Sequence, residues 1–286
     1  MERILVLTDF SDIARSGLEE AVRLAEQLGQ AEILLLNTEE TSQGADFSST
    51  GGSNFYMDIS EGDRFVVAIL KRNKERLQEL AMQYSSERVR IIPFIQVGPV
   101  QETVDVFIHN HKVDLIVMGT SGENTFEEYF VGNHTEQVLR IANVPVITIK
   151  VGDRAPKEVR SIVLATDMSE KAARGIPYIN ALAGKLGAQL HLLHVTRSRK
   201  LEQKRHDMDA YARAHGLAGY ELAAITDSDT EDGIKRYAAQ IGADMIAVIT
   251  HGRDGIKALF ADSVAEKLVR ESSIPVLTIN RREIAR

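Results

Sequence analysis

Cysteine is missing from this sequence of 286 residues. Its absence excludes a disulfide framework, a thiolate nucleophile and a zinc site built on thiolates. No apolar run approaches the length of a membrane span, and the first residues enter a strand pattern without the apolar core of a signal peptide. We therefore expect a cytoplasmic protein that has no membrane partner.

A strong positive charge is also missing. The formal net charge is −7 and the pI is about 5.7, which disfavours a nucleic-acid partner. Neither a Walker motif nor the dinucleotide-binding pattern G-x-G-x-x-G occurs in the chain. The 44% of apolar and 26% of charged residues are typical of a soluble globular protein, and the length exceeds that of one ordinary core. Two domains are expected.

An internal repeat organises the chain. Three pairs of segments match, namely residues 4–11 with 162–169 and 33–36 with 191–194, both at an offset of 158, and residues 144–149 with 274–279 at an offset of 130. The difference between 158 and 130 means that the first copy carries 28 extra residues.

The repeat predicts two domains of the same kind. The first copy covers residues 1–150 and the second copy covers residues 157–286, with a short polar joint containing Gly152 and Pro156 between them. A Ser/Gly-rich insertion at about 41–63 carries the extra residues. This insertion is either a tolerated surface loop or a lid over a ligand.

Within the first copy, short Val/Ile/Leu runs alternate with segments of helical spacing. The expected strands are 4–7, 33–36, 89–97, 115–118 and 146–149, and the expected helices are 14–28, 73–84, 100–111 and 135–141. This pattern predicts an α/β protein with two tandem doubly wound domains, each a five-stranded parallel sheet with helices on both faces. In the second copy, Gly175 and Pro177 fall inside the expected first helix, which is therefore predicted to start late or to be kinked.

A glycine-rich loop follows the fourth predicted strand. Gly119 and Gly122 come first, nine residues intervene, and Gly132 and Asn133 lead into the next helix. Glycines let a backbone approach phosphate oxygens, and a helix N-terminus favours an anion. However, Asn133 and Glu136 also have the spacing of a helix capping box, and glycines after a strand can simply form turns. The spacing leaves both interpretations open.

Four features of the sequence resemble the universal stress proteins, and the set occurs in both copies. They are the acidic end of the first strand, the glycine loop, the strand before that loop and the closing strand. The resemblance implies an adenine nucleotide alpha-hydrolase-like fold whose domains pair, and ATP binding in one branch of the family. Carried over by position, it implies nucleoside-binding residues Thr8, Asp9 and Asn37, and phosphate-binding residues Gly119, Thr120, Gly122, Gly132, Asn133 and His134. In the second copy Ile249 and Asp262 replace the first and third glycines, so that its motif is degenerate.

The resemblance implies a stress-response protein that holds ATP or another adenine nucleotide, with or without Mg, in the first copy. The second copy would be its pairing partner through the final strands 146–149 and 276–279, and a further homodimer is expected. No catalytic residue and no metal ligand is assigned, since His191 and His194 lie on opposite faces of one predicted strand. Two alternatives stay open, a ligand-free protein-interaction scaffold and a slow nucleotide-hydrolysing enzyme.

Overall fold

The protein is described by a computed structural model that covers residues 2–40, 61–120, 137–139, 141–150, 157–250 and 264–280. The first copy contains β1 (Glu2–Leu7), α1 (Asp12–Leu28), β2 (Ala31–Glu39), α2 (Glu61–Tyr84), β3 (Val89–Val97), α3 (Val100–His111), β4 (Leu115–Thr120) and β5 (Val146–Lys150). The second contains β6 (Ser161–Ala165), α4 (Glu170–Ala173), α5 (Ile176–Leu186), β7 (Gln189–Thr196), α6 (Leu201–Ala214), β8 (Tyr220–Thr226), α7 (Thr230–Ile241), β9 (Met245–Thr250), α8 (Val264–Glu271) and β10 (Val276–Asn280).

All ten of these strands form one sheet in the order β3-β2-β1-β4-β5-β10-β9-β6-β7-β8. Strands within each copy are parallel, whereas β5 and β10 pair antiparallel, with Leu277 opposite Ile147. Two threonine hydroxyls support this seam, because Thr148 Oγ1 donates to the Val276 carbonyl at 3.3 Å and Thr278 Oγ1 donates to the Val146 carbonyl at 3.2 Å. The predicted contact between the final strands is confirmed, and the two predicted five-stranded sheets are halves of one continuous sheet.

Helices cover both faces of the sheet, because the central strands are apolar on both sides. On one face a single hydrophobic core runs through both copies beneath α1, α2, α5 and α6. On the other face each copy has its own core, under α3 in the first and under α7 and α8 in the second. The shared core means that the two copies fold against each other.

The Gln27 side chain joins α1 to the second copy by hydrogen bonds. Its Nε2 donates to the carbonyls of Val159 and Leu186 at 2.9 and 2.8 Å, and its Oε1 accepts from the Val159 N–H at 2.8 Å. One side chain therefore satisfies three backbone groups across the boundary between the copies.

The first helix of the second copy is broken, as Gly175 and Pro177 predict. Ser169 caps a single turn, α4, and α5 then begins at Ile176 with Pro177 in its first turn, where the missing N–H of proline costs no hydrogen bond. In the first copy α1 runs unbroken from its cap at Ser11 to Gly29, whose φ of 80° ends the helix.

The predicted bounds of several elements differ from the structure, and β1, α1 and β2 are each longer than predicted. The strand predicted to end at residue 118 continues to Thr120, and α2 begins at Glu61 rather than at residue 73, so that the last part of the insertion is helical. Apolar residues on all sides of the segment 65–70 hide its helical period from a search for an amphipathic pattern. Residues 41–60 and the joint at 151–156 lie outside the described residues.

Candidate functional site

A recess lies at the carboxyl ends of β1 and β4. The chain runs from β1 to one side of the sheet, to β2 and β3, and then returns to the other side at β4. Such a reversal of strand order opens a crevice in which α/β proteins bind ligands. The recess encloses about 80 Å³, room for several waters, and is lined by Leu7, Thr8, Asp9, Ser11, Ile13, Ala14, Leu36, Thr38, Val100, Met118 and Gly119.

The turn from β1 into α1 is held by its own side chains. Thr8 Oγ1 accepts from the Phe10 N–H at 3.0 Å, and Asp9 Oδ1 accepts from the Ser11 N–H at 2.9 Å. These bonds support Phe10 at a φ of 68°, an uncommon conformation for a residue other than glycine. Asp9 is exposed, and its second oxygen has no hydrogen-bond partner in the described part of the chain.

The second copy repeats this turn. Thr166 Oγ1 accepts from the Met168 N–H and Asp167 Oδ1 accepts from the Ser169 N–H, both at 2.9 Å, and Met168 has a φ of 60°. Because the same turn forms beside a degenerate glycine motif, the Thr-Asp pair has a structural task in both copies. Binding a ligand is an additional task, open to Asp9 through its remaining oxygen.

Asn37 lies apart from the recess. Its side chain is 2% exposed; it donates from Nδ2 to the Thr8 carbonyl at 2.8 Å and accepts at Oδ1 from Asn73 at 3.2 Å. Asn73 also donates to Glu39 Oε1. Since side chains alternate along a strand, Thr38 lines the recess while Asn37 points to the face covered by α2. Asn37 thus positions Thr8, and the lining residue beside it is Thr38.

The strand register corrects the alignment of the repeat at this point. Leu36 pairs with Leu7, whereas the counterpart of Leu7, Ala165, pairs with Leu193, so the offset in β2 and β7 is 157 and not 158. His194 is therefore the counterpart of Asn37. Its Nδ1 lies 2.9 Å from the Thr166 carbonyl, the same contact that Asn37 makes to Thr8. Four residues separate the end of α1 at Leu28 from Ile33, whereas three separate the end of α5 at Leu186 from its counterpart Leu190, a change too small for the apolar runs to reveal.

Gly119 belongs to β4 and not to the loop beyond it. A Cβ at this position would overlap the Ile13 carbonyl group, with 2.6 Å to its carbon, and a Cβ on Gly17 would lie 2.5 Å from the Gly119 nitrogen. Both glycines are required because α1 crosses directly over the end of β4. Thr120 is the last residue of β4 and is buried. The other predicted phosphate-binding residues, Gly122, Gly132, Asn133 and His134, lie outside the described residues.

Apolar side chains stand at the corresponding places of the second copy. Ile249, the counterpart of Gly119, packs against Gly175, where a Cβ would meet Ile249 Cγ1 at 2.7 Å. Val195, the counterpart of Thr38, packs against Gly233, where a Cβ would meet Val195 Cγ1 at 2.8 Å. Ile249 thus lies where the backbone of α1 lies against Gly119 in the first copy, and Val195 carries a methyl group in place of the Thr38 hydroxyl.

Charges at the two sites also differ. In the first copy Glu40 Oε1 accepts from the Val100 N–H at 3.2 Å, which places a carboxylate at the start of α3. At the offset of 157 its counterpart is Arg197, whose guanidinium donates to the Ser228 carbonyl at 3.2 Å. The start of α7 is capped instead by Asp229, whose pKa is lowered by the hydrogen bond from the Asp232 N–H.

Two other kinds of feature are absent from the ranges that the structure describes. There, no three His, Asp or Glu side chains come together as a metal site, and no helix is long and apolar enough to cross a membrane. The predicted cytoplasmic location stays a prediction.

Both copies of the chain match one family of known proteins. The model of the universal stress protein family matches residues 1–150 and 158–280. A universal stress protein of Synechocystis sp. is 23% identical over 97% of this chain and 99% of its own length. A second, from Methanocaldococcus jannaschii, is 26% identical over 52% of this chain and 82% of its own length. The crystal structure of a universal stress protein from Archaeoglobus fulgidus superposes with a TM-score of 0.73 at 23% identity, covering 98% of both chains.

Proposed function

Because the chain belongs to the universal stress protein family, we propose that its first copy binds ATP or another adenine nucleotide, with or without Mg²⁺, as part of a stress response. The second copy serves as the partner domain that completes the sheet. The observation that carries this proposal is the recess at the reversal of strand order between β1 and β4.

The lining of the recess suits a nucleoside. Leu7, Leu36, Val100 and Met118 offer apolar walls for a flat base, and a few polar groups stand among them. The free oxygen of the Asp9 carboxylate can accept a hydrogen bond from a ribose hydroxyl, and a charged acceptor forms the stronger kind of bond. These residues support binding of the nucleoside part of the ligand.

One ligand per chain is expected. In the second copy Val195 lacks the hydroxyl of Thr38, and Ile249, a β-branched residue packed against Gly175, replaces the first glycine of the motif. This supports a one-to-one stoichiometry.

We also propose that the protein binds its nucleotide without rapid turnover. Among the described lining residues Asp9 is the only ionisable group, and acid–base catalysis commonly needs a positioned base and acid. Steady release of phosphate or pyrophosphate from ATP, abolished by Asp9→Asn, would instead favour the enzyme alternative.

Titration calorimetry with ATP, ADP and AMP tests the binding proposal. Asp9→Asn keeps an oxygen for the Ser11 N–H but removes the charge, and it is expected to weaken binding by about 10-fold. Thr38→Leu adds bulk to the recess and removes the hydroxyl, and should weaken binding at least as much. The matched control is Asp167→Asn, which makes the same change in the turn of the second copy and should leave binding unchanged.

Two results would overturn the proposal. One is the absence of binding heat at about 1 mM ATP, which corresponds to an affinity too weak to matter. The other is saturable binding that Asp9→Asn and Thr38→Leu leave untouched, because the ligand would then lie elsewhere.

A further inference from the structure

The repeat provides an internal comparison for α2. This helix has 24 residues, whereas its counterpart α6 has 14. Leu77 and Ala81 are buried toward the sheet in the same way as Met208 and Ala212, so the helices match at their C-terminal ends. Nearly all of the extra length therefore lies at the N-terminal end of α2, in residues 61–70. We call this segment the α2 extension.

The second copy folds without such a segment, so the fold itself does not require it. The α2 extension contains six consecutive apolar residues, 65–70, which helical geometry distributes around the whole helix. Phe65 is 68% exposed and Val67 is 59% exposed. Among residues 64–84 of the helix, the first fully buried side chain is that of Asn73. Helices that are apolar on all sides are ordinarily buried, whereas the described residues leave Phe65 and Val67 exposed.

A further apolar residue lies nearby. Val97 is 48% exposed at the carboxyl end of β3, the strand on which α2 packs. Side chains on alternate positions of β3 share a face, and Ile91 and Ile95 contribute to the core beneath α2. Val97 follows them on that face, which extends the apolar surface from the helix onto the edge of the sheet.

The order of charges indicates what covers this surface. Glu61 and Asp63 precede the apolar residues, and Lys71, Arg72 and Lys74 follow them, with Arg64 as the one cation at the acidic end. If two such helices pack antiparallel, the acidic end of each lies beside the basic end of the other. A lipid surface would gain nothing from the acidic end.

We propose that the α2 extension is an interface between two copies of this chain, which pair through it about a twofold axis with their α2 helices antiparallel. A twofold interface must be complementary to itself, and the charge order of the segment meets that condition. The extension is about 15 Å long, so with Val97 it makes a contact below the usual 800 Å² or so per partner of a stable complex. The dimer is therefore of micromolar affinity.

Sedimentation velocity of the full chain, at roughly 1 to 100 µM, tests this proposal. The wild-type protein is expected to shift from monomer to dimer across the range. Phe65→Glu combined with Val67→Glu should weaken the dimer by about 30-fold or more, because each change buries charge at the centre of the contact. The matched control is Met82→Glu, since Met82 is 74% exposed near the other end of the same helix. It should not alter the dimer.

A charge exchange tests the antiparallel arrangement. Asp63→Lys and Lys71→Asp should each weaken the dimer, and the two changes together should restore it, because residues 63 and 71 are equally far from Val67 along the helix. Restoration of the dimer by the double variant distinguishes a specific antiparallel contact from nonspecific hydrophobic association.

Three outcomes would overturn the proposal. The first is a wild-type chain that forms no dimer at the upper concentration. The second is a dimer that persists with Phe65→Glu and Val67→Glu, and the third is a dimer that Met82→Glu weakens equally. A monomeric chain whose melting temperature falls with the Phe65 and Val67 changes would show that its own residues cover the helix. A monomeric chain that sediments with anionic phospholipid vesicles would show a lipid surface as the cover.

Discussion

At the scale of single residues, Glu20 has a buried carboxyl group that does not line the recess. It is 2% exposed on α1, and its ion-pair partner is Arg23, whose Nη2 lies 2.9 Å away. Burial raises the pKa of Glu20, and the hydrogen bond and charge of Arg23 offset only part of this effect. In the folded protein the carboxyl group therefore holds its proton to a higher pH than in the unfolded chain.

This shift makes the stability of the protein depend on pH. Between the unfolded pKa near 4.5 and the raised folded pKa, the folded state binds more protons, so that stability contributed by Glu20 falls as the pH rises. Glu20→Gln removes the ionisation and keeps an oxygen for Arg23. The free energy of unfolding of the variant, relative to wild type, is expected to increase from pH 4 toward pH 7, measured by urea denaturation. A difference independent of pH would contradict this expectation.

The sequence could predict some residues of the recess and not others. Thr8 and Asp9 were predicted from the resemblance to the universal stress proteins, and both line it. Asn37 was also predicted at the end of a strand, but the period of two in β2 only separates its two faces and cannot tell which face carries the recess. Thr38 was missed for the same reason, although it continues the face of Leu36.

At the scale of elements, the contact of α1 with β4 decides what can stand at the end of that strand. Gly17 and Gly119 allow the helix backbone to lie against the strand backbone. In the second copy the strand carries Ile249, and the helix above it breaks between α4 and α5. The presence of Ile249 at the place of Gly119 thus goes together with a break in the helix that covers the strand.

We predict that Gly119→Ala is strongly destabilising, because its Cβ would overlap the Ile13 carbonyl, a backbone group that cannot turn aside. The free energy of unfolding should fall by at least about 3 kcal/mol. The matched control is Gly184→Ala in α5, where no atom lies within 4 Å of the added carbon. This change should instead raise the free energy of unfolding by about 0.5 kcal/mol. Equal effects in thermal denaturation would refute the packing argument.

Most elements were predictable because apolar runs and helical spacing are local signals. The bounds of β3 and α3 agree with the prediction, and the break near Pro177 follows from the missing N–H of proline. The close approach of Ile13 to Gly119 could not be predicted, since it joins residues more than a hundred positions apart. A glycine that serves packing and a glycine that serves a phosphate look the same in one sequence.

At the scale of the whole molecule, the two copies share one sheet and, on one face, one core. We expect a single cooperative unfolding transition for the full chain. Gln27→Ala should lower the free energy of unfolding by about 1–3 kcal/mol, because three backbone hydrogen bonds across the boundary are lost. Calorimetry tests both statements.

The control for this experiment is Gln78→Ala, at an exposed position on α2, which should change the free energy of unfolding by no more than about 0.5 kcal/mol. Two separate transitions in the wild-type chain would contradict the shared core. The tandem architecture itself was predictable, because the repeat is visible in the residues, whereas the joining of two sheets into one depends on the final strands meeting in space.

The antiparallel pairing of β5 with β10 also sets the carboxyl ends of the strands of the two copies at opposite edges of the sheet. Strands of the first copy end at one rim of the slab and strands of the second copy end at the opposite rim, about 20 Å away for six residues of strand. A molecule seated in the first copy cannot touch the rim of the second. A partner bound at the far rim would therefore leave the recess of the first copy accessible.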